Sequence, residues 1–115
     1  MSLREMTMTA QRSVRSRTGS ISVTTTEQGL PMSLKIDQRE MRRPPQALAD
    51  EILALCKLSA LRQQVARRRE VLQQPFGAEI VRTLELPTEA ELARAEEEVL
   101  GQEEDEQPQT WMRSV

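Results

Sequence analysis

Residues 45–74 read PQALADEILALCKLSALRQQVARRREVLQQ, and this stretch decides the fold. Leu48, Ile52, Leu55, Leu58, Leu61, Val65 and Leu72 recur at steps of three and four, with one wider gap at Arg68 and Arg69. That spacing draws one apolar stripe along a helix. Past Pro45 the segment holds no Gly or Pro and is rich in Ala, Leu, Arg, Gln and Glu, all good helix formers. Pro44 and Pro45 mark the start: a residue before proline is pushed out of the α region, while proline itself suits the first helical turn. At 1.5 Å per residue such a helix runs roughly 45 Å. Its stripe needs cover, and the rest of the chain is read for what could supply it.

Upstream, Ile21, Val23 and Thr25 alternate with Ser20, Ser22 and Thr24, the period of a half-buried strand. Glu27-Gln28-Gly29 supplies a turn, with Gly29 free to take positive φ. Met32, Leu34 and Ile36 then alternate with Ser33, Lys35 and Asp37, giving a second strand with Pro31 at its start. The two strands, about 19–26 and 32–37, form a hairpin whose apolar face is the natural partner of the helix stripe. Residues 37–43 make a polar, basic connection in which Met41 is the one apolar anchor. A two-stranded hairpin is marginal alone, and it is shorter than the helix. A homodimer is therefore expected, through joined strands or crossed helices.

Downstream, Pro75-Phe76-Gly77 breaks the helix, and Ile80, Val81, Leu84 and Leu86 mark a short segment, residues 78–86, that packs back. Thr88-Glu89-Ala90-Glu91 is a capping box. It opens a short helix over 89–100, with Leu92, Ala95, Val99 and Leu100 as a narrow stripe and Gly101 as its C-cap. Residues 1–17, basic and without apolar periodicity, are expected to be a disordered arm, and residues 101–115 an acidic disordered tail in which Trp111 is either a docking anchor or incidental. The domain proper is then 18–100, of α+β class.

Composition narrows the function. The chain has 115 residues, 37% of them hydrophobic and 30% charged, and only Phe76 and Trp111 are aromatic. Arg4, Arg12, Arg15 and Arg17 give a basic front; Glu96, Glu97, Glu98, Glu103, Glu104, Asp105 and Glu106 give an acidic back. There is no His, so neither a Ser-His-Asp triad nor a Cys-His pair can be built. A Cys/His zinc site lacks its ligands, and the four glycines stand apart rather than in a phosphate loop. Cys56 lies alone on the helix and reads as a small buried hydrophobe. No catalytic, cofactor-binding or metal-binding residue is assigned, and no enzyme activity, cofactor or small-molecule substrate is expected. Duplex DNA is the lesser alternative partner: Arg67–Arg69, the arginines of the arm, and Arg39, Arg42 and Arg43 could meet phosphates, but stacking aromatics are few and the calculated pI is about 5.3. No apolar run is long enough to cross a membrane, and residues 1–10 lack the apolar core of a secretory signal. A cytoplasmic location is expected, with export by a route that uses no cleaved signal as the alternative.

Residues 18–60, TGSISVTTTEQGLPMSLKIDQREMRRPPQALADEILALCKLSA, resemble the C-terminal part of the YbaB/EbfC nucleoid-associated family, which has strands, a polar connection and a long helix. Its members form dimers with a sheet core and projecting helices, and some bind DNA. The chain resembles more closely the EspD/EspH group of mycobacterial type VII (ESX) secretion-associated proteins, themselves YbaB-like. The strand pair SISVTTTEQGLPMSLKI, the helix opening Leu48-Ala49-Asp50-Glu51-Ile52, and Leu86-Pro87-Thr88-Glu89-Ala90-Glu91 followed by Ala95-Glu96-Glu97-Glu98-Val99 carry that likeness over about residues 18–100. It implies a non-enzymatic, chaperone-like accessory protein with an ESX-related protein partner. The binding surface is then expected on the long helix around Leu58 to Leu72, with the C-terminal helix beside it. Two departures stand out. An Arg-rich arm replaces the group's long acidic N-terminal region. The chain also has no Tyr, so the Tyr-containing export signal of type VII substrates is absent.

Overall fold

The computed structural model describes residues 13–101. Three antiparallel strands lie in the order β1 (Val14–Arg15), β2 (Ile21–Thr25) and β3 (Pro31–Ile36). A 3-10 turn, Gln38–Arg42, leads to the long helix α1 (Pro45–Leu72), followed by α2 (Gly77–Leu84) and α3 (Glu89–Leu100). The class is α+β: one small sheet, with the long helix laid across it and the two short helices returning along that helix.

The alternation in β2 is realised residue by residue. Ile21, Val23 and Thr25 are buried, while Ser22 and Thr24 are half-exposed. Gly29 closes the hairpin at φ 91°, a conformation that costs a side-chain-bearing residue about 1–2 kcal/mol. In the β2–β3 register Ile21 faces Ile36, Ser22 faces Lys35 and Val23 faces Leu34, with an irregularity between Thr24 and Thr25 opposite Pro31.

The first strand corrects the expected disordered arm of residues 1–17. Val14 pairs with Val23 and Arg15 with Ser22, and Val14 is buried in the main core. Two residues are too few to show a period, so pairing and burial, rather than pattern, make this strand. Residues 1–12 of the expected arm, and 102–115 of the expected tail with Trp111, lie outside the described residues.

α1 begins where the proline pair dictates. Pro44 is extended at φ −58°, ψ 137°, and Pro45 takes the first helical position. Leu55, Leu58 and Val65 are buried, Leu48, Ile52 and Leu61 are half-buried, and Leu72 is exposed. The core joins Val14, Ile21 and Val23 of the sheet to Leu55, Cys56 and Leu58 of α1. Each fully buried aliphatic side chain there stabilises the fold by about 1.5–3 kcal/mol.

The capping box forms in full. The Thr88 hydroxyl accepts from the Glu91 amide at 3.1 Å, and the Glu91 carboxylate accepts from the Thr88 amide at 2.9 Å. Leu92, Ala95, Val99 and Leu100 then pack onto the core. Arg69 pairs with Glu89 and Arg62 with Glu96, so α3 runs antiparallel to α1 and its charged rim is tied down at both ends. Glu96 is half-buried in its ion pair with Arg62.

Candidate interaction surface

The expected binding surface, Leu58 to Leu72 of α1, is largely roofed within the chain. Leu58 and Val65 are buried and Leu61 is half-buried. Of the stripe residues in that span, Leu72 is the exposed one, at 41%. Leu92, Ala95, Val99 and Leu100 of α3 pack against the core that holds Leu58, a pairing that helix periodicity alone does not reveal.

The uncovered apolar surface lies elsewhere. α1 packs over β1 and β2 and leaves β3 aside. Met32 and Leu34 lie on the β3 face that continues the buried face of β2, since Leu34 stands opposite the buried Val23. They are nevertheless 55% and 44% exposed. Leu30, Met41 and Leu53 are exposed too. Among the described residues β3 is also a sheet edge, because the strand order ends with it. A second feature is a groove of about 410 Å³ between α1 and α3, with Leu53, Ala54, Leu58, Leu61, Ala95 and Val99 as its apolar walls and Asp50, Lys57 and Glu98 at its charged positions.

The arginines proposed for phosphate contact are mostly engaged. Arg67 donates two hydrogen bonds to Glu27, at 2.5 and 2.6 Å, and this guanidinium holds the Glu27 carboxyl below its ordinary range. Arg69 donates to Glu89 at 2.5 and 2.8 Å and depresses that carboxyl in the same way. Arg39 is bidentate to Asp37, and Arg43 lies between Glu40 at 2.8 Å and Glu51 at 2.5 Å. Those hydrogen bonds lower Asp37 and Glu40; Ser20 also donates to Glu40. The positive charge that reads as a patch along the chain is therefore locally neutralised in space. Sequence reasoning missed these pairings because Glu27 is 40 positions from Arg67 and Glu89 is 20 from Arg69.

Cys56 sits where the periodicity predicts, buried in the core, and desolvation pushes its thiol above the ordinary value. That favours an inert thiol over a nucleophilic thiolate. Among the described residues, no group of three or more His, Cys, Asp or Glu side chains is placed to hold a metal ion, and no helix is long and apolar enough to cross a membrane.

Comparison with known proteins returns no matching family model, no matching curated protein and no matching solved structure.

Proposed function

We propose that this chain is a non-enzymatic accessory protein that works as a homodimer through protein–protein contact and serves a type VII (ESX) secretion system. The observation that carries the interaction part is the apolar face of β3, where Met32 and Leu34 continue the core face of the sheet yet stay solvent-exposed. An apolar strip with a free strand edge is a liability in a lone subunit. It is accounted for when another polypeptide covers it. The groove between α1 and α3 offers a second apolar concavity, suited to a client helix. The assignment to ESX secretion rests on the resemblance carried by residues 20–36, 48–52, 86–91 and 95–99, and the compartment proposed is the cytoplasm.

The test is affinity capture from cell extract with mass spectrometry. Recovery of secretion-system components with the wild-type chain, lost when Leu53 and Leu61 in the groove become Ser, supports the reading. Capture that returns no such component overturns the secretion assignment. The alternative, YbaB-type DNA binding, predicts a salt-sensitive gel shift that weakens when Arg67, Arg68 and Arg69 become Ala. The engagement of Arg67 and Arg69 by Glu27 and Glu89 weighs against it, because phosphate contact would first have to break those pairs.

A further inference from the structure

The hydrogen-bonding parity of β3 says which backbone groups its free edge presents. The Asp37 amide donates to the Ser20 carbonyl at 2.7 Å. In an antiparallel pair, hydrogen-bonded and non-hydrogen-bonded positions alternate. Given the observed register, Ser33 and Lys35 therefore turn their N–H and C=O groups toward β2, while Met32, Leu34 and Ile36 turn theirs outward. Pro31 stands opposite Thr25, beyond the irregularity, and so lies outside the alternating stretch from Met32 to Ile36.

We infer that β3 pairs antiparallel with β3 of a second copy, with Leu34 opposite Leu34 of the other chain on the two-fold axis. The inference rests on the homodimer reading above and adds the surface and the register. Three self-pairings compete. With Leu34 on the axis, all three outward residues exchange bonds (Leu34 with its own copy, Met32 with Ile36), giving about six inter-chain hydrogen bonds. Centring on Ser33 gives about four, because Leu30 is unavailable: its amide and carbonyl are already bonded to Thr26. Centring on Lys35 also gives about four and sets two lysines face to face, which is unfavourable. The favoured register places Lys35 against Ser33 on the polar face, and only Met32, Leu34 and Ile36 on the apolar one. The edge is self-complementary in hydrogen bonds, charge and polarity together, and this argues for a second copy over an unrelated strand.

The experiment uses two full-length variants, Ser33→Cys and Lys35→Cys, one carrying a size tag, mixed and oxidised under native conditions. Ser33 and Lys35 of opposite chains form a non-hydrogen-bonded pair with Cα atoms about 4.5 Å apart, close enough for a disulfide. The expected result is a heterodimeric cross-linked band from the mixture and none from either variant alone. Sedimentation of Leu34→Lys is expected to show dimerisation weakened at least about tenfold, since two like charges would meet on the axis. Leu84→Lys, at another exposed apolar site, on α2, should leave dimerisation unchanged. Cross-linking of Ser33→Cys with itself overturns the register. A wild-type dimer that gives no mixed cross-link, or that tolerates Leu34→Lys, overturns the β3 interface and leaves the homodimer reading standing. A wild-type monomer at micromolar concentration overturns both.

Discussion

The hydroxyl oxygens of Thr25 and Ser59 meet at 2.7 Å in the buried layer between β2 and α1. Both residues are almost wholly inaccessible, so neither hydroxyl can turn to water. Gln63 of α1 donates to the Thr25 carbonyl at 2.8 Å, and Gln64 donates to the Glu27 carbonyl at 2.8 Å. One helical turn thus fastens the end of β2 and the start of the hairpin turn through polar contacts.

Ser59→Ala should destabilise the fold by about 1 kcal/mol, the usual net value of one buried hydrogen bond. The loss stays moderate because the Thr25 hydroxyl also lies 2.8 Å from the Thr26 carbonyl and keeps an acceptor. Combined with Thr25→Val, the double variant should lose less than the sum of the two single losses. Denaturant titration of the four proteins in the cycle measures this coupling, and strict additivity would disprove it.

The Glu27–Arg67 pair predicts a pH dependence of definite sign. The carboxyl is depressed in the folded chain by its hydrogen bonds to Arg67. Its contribution is therefore fully present above the ordinary Glu value and fades as pH falls through the lower folded value. Because the Arg67 side chain is 52% exposed, the effect at neutral pH should stay below about 1 kcal/mol. Glu27→Gln should lose that increment at pH 7 and converge with the wild type under acid. A stability gap that widens toward low pH would contradict the assignment.

Gly77 and Gly29 should respond differently to alanine. A Cβ at Gly77 would fall 2.2 Å from the Val71 carbonyl oxygen, so the tight junction between α1 and α2 would have to open. At Gly29 the nearest side-chain atom would be Ala60 Cβ at 3.6 Å, an ordinary contact, and the only penalty is the positive φ. Gly29→Ala is expected to cost about 1–2 kcal/mol. Gly77→Ala should either cost more or detach α2, visible as lost helical signal. Equal thermal shifts for the two variants would refute the distinction.

Thr88→Ala removes the side-chain half of the capping box and should cost about 1 kcal/mol. The consequence reaches beyond α3, because Leu92 and Val99 pack against the core that contains Leu58. Hydrogen exchange should therefore quicken in α3 before it does in β2. Uniform protection loss across both elements would show that α3 does not open separately.

Cys56 should resist thiol reagents in the native chain at neutral pH and react once the chain is unfolded. Burial and the raised thiol value act in the same direction here. Rapid stoichiometric labelling without unfolding would show that the core around Leu55 and Leu58 opens readily.

The amino-acid order by itself determined what depends on near neighbours. Pro44–Pro45 set the start of α1, Thr88–Glu91 set that of α3, Gly29 marked the hairpin turn, and Ile21, Val23 and Thr25 declared their buried side. Each is legible because its physics is contained within a few consecutive residues: a ring that fixes φ, a side chain reaching three positions along, or a pleat of period two. Tertiary structure alone decided that Val14 and Arg15 form a strand, that α3 packs on the core that holds Leu58, and that Glu27 and Glu89 neutralise Arg67 and Arg69. The same holds for the exposure of β3: Met32 and Leu34 repeat the pattern of a covered strand, yet α1 crosses over β1 and β2 instead. Periodicity reports which side of a strand is apolar; only the placement of distant elements determines whether anything lies on it.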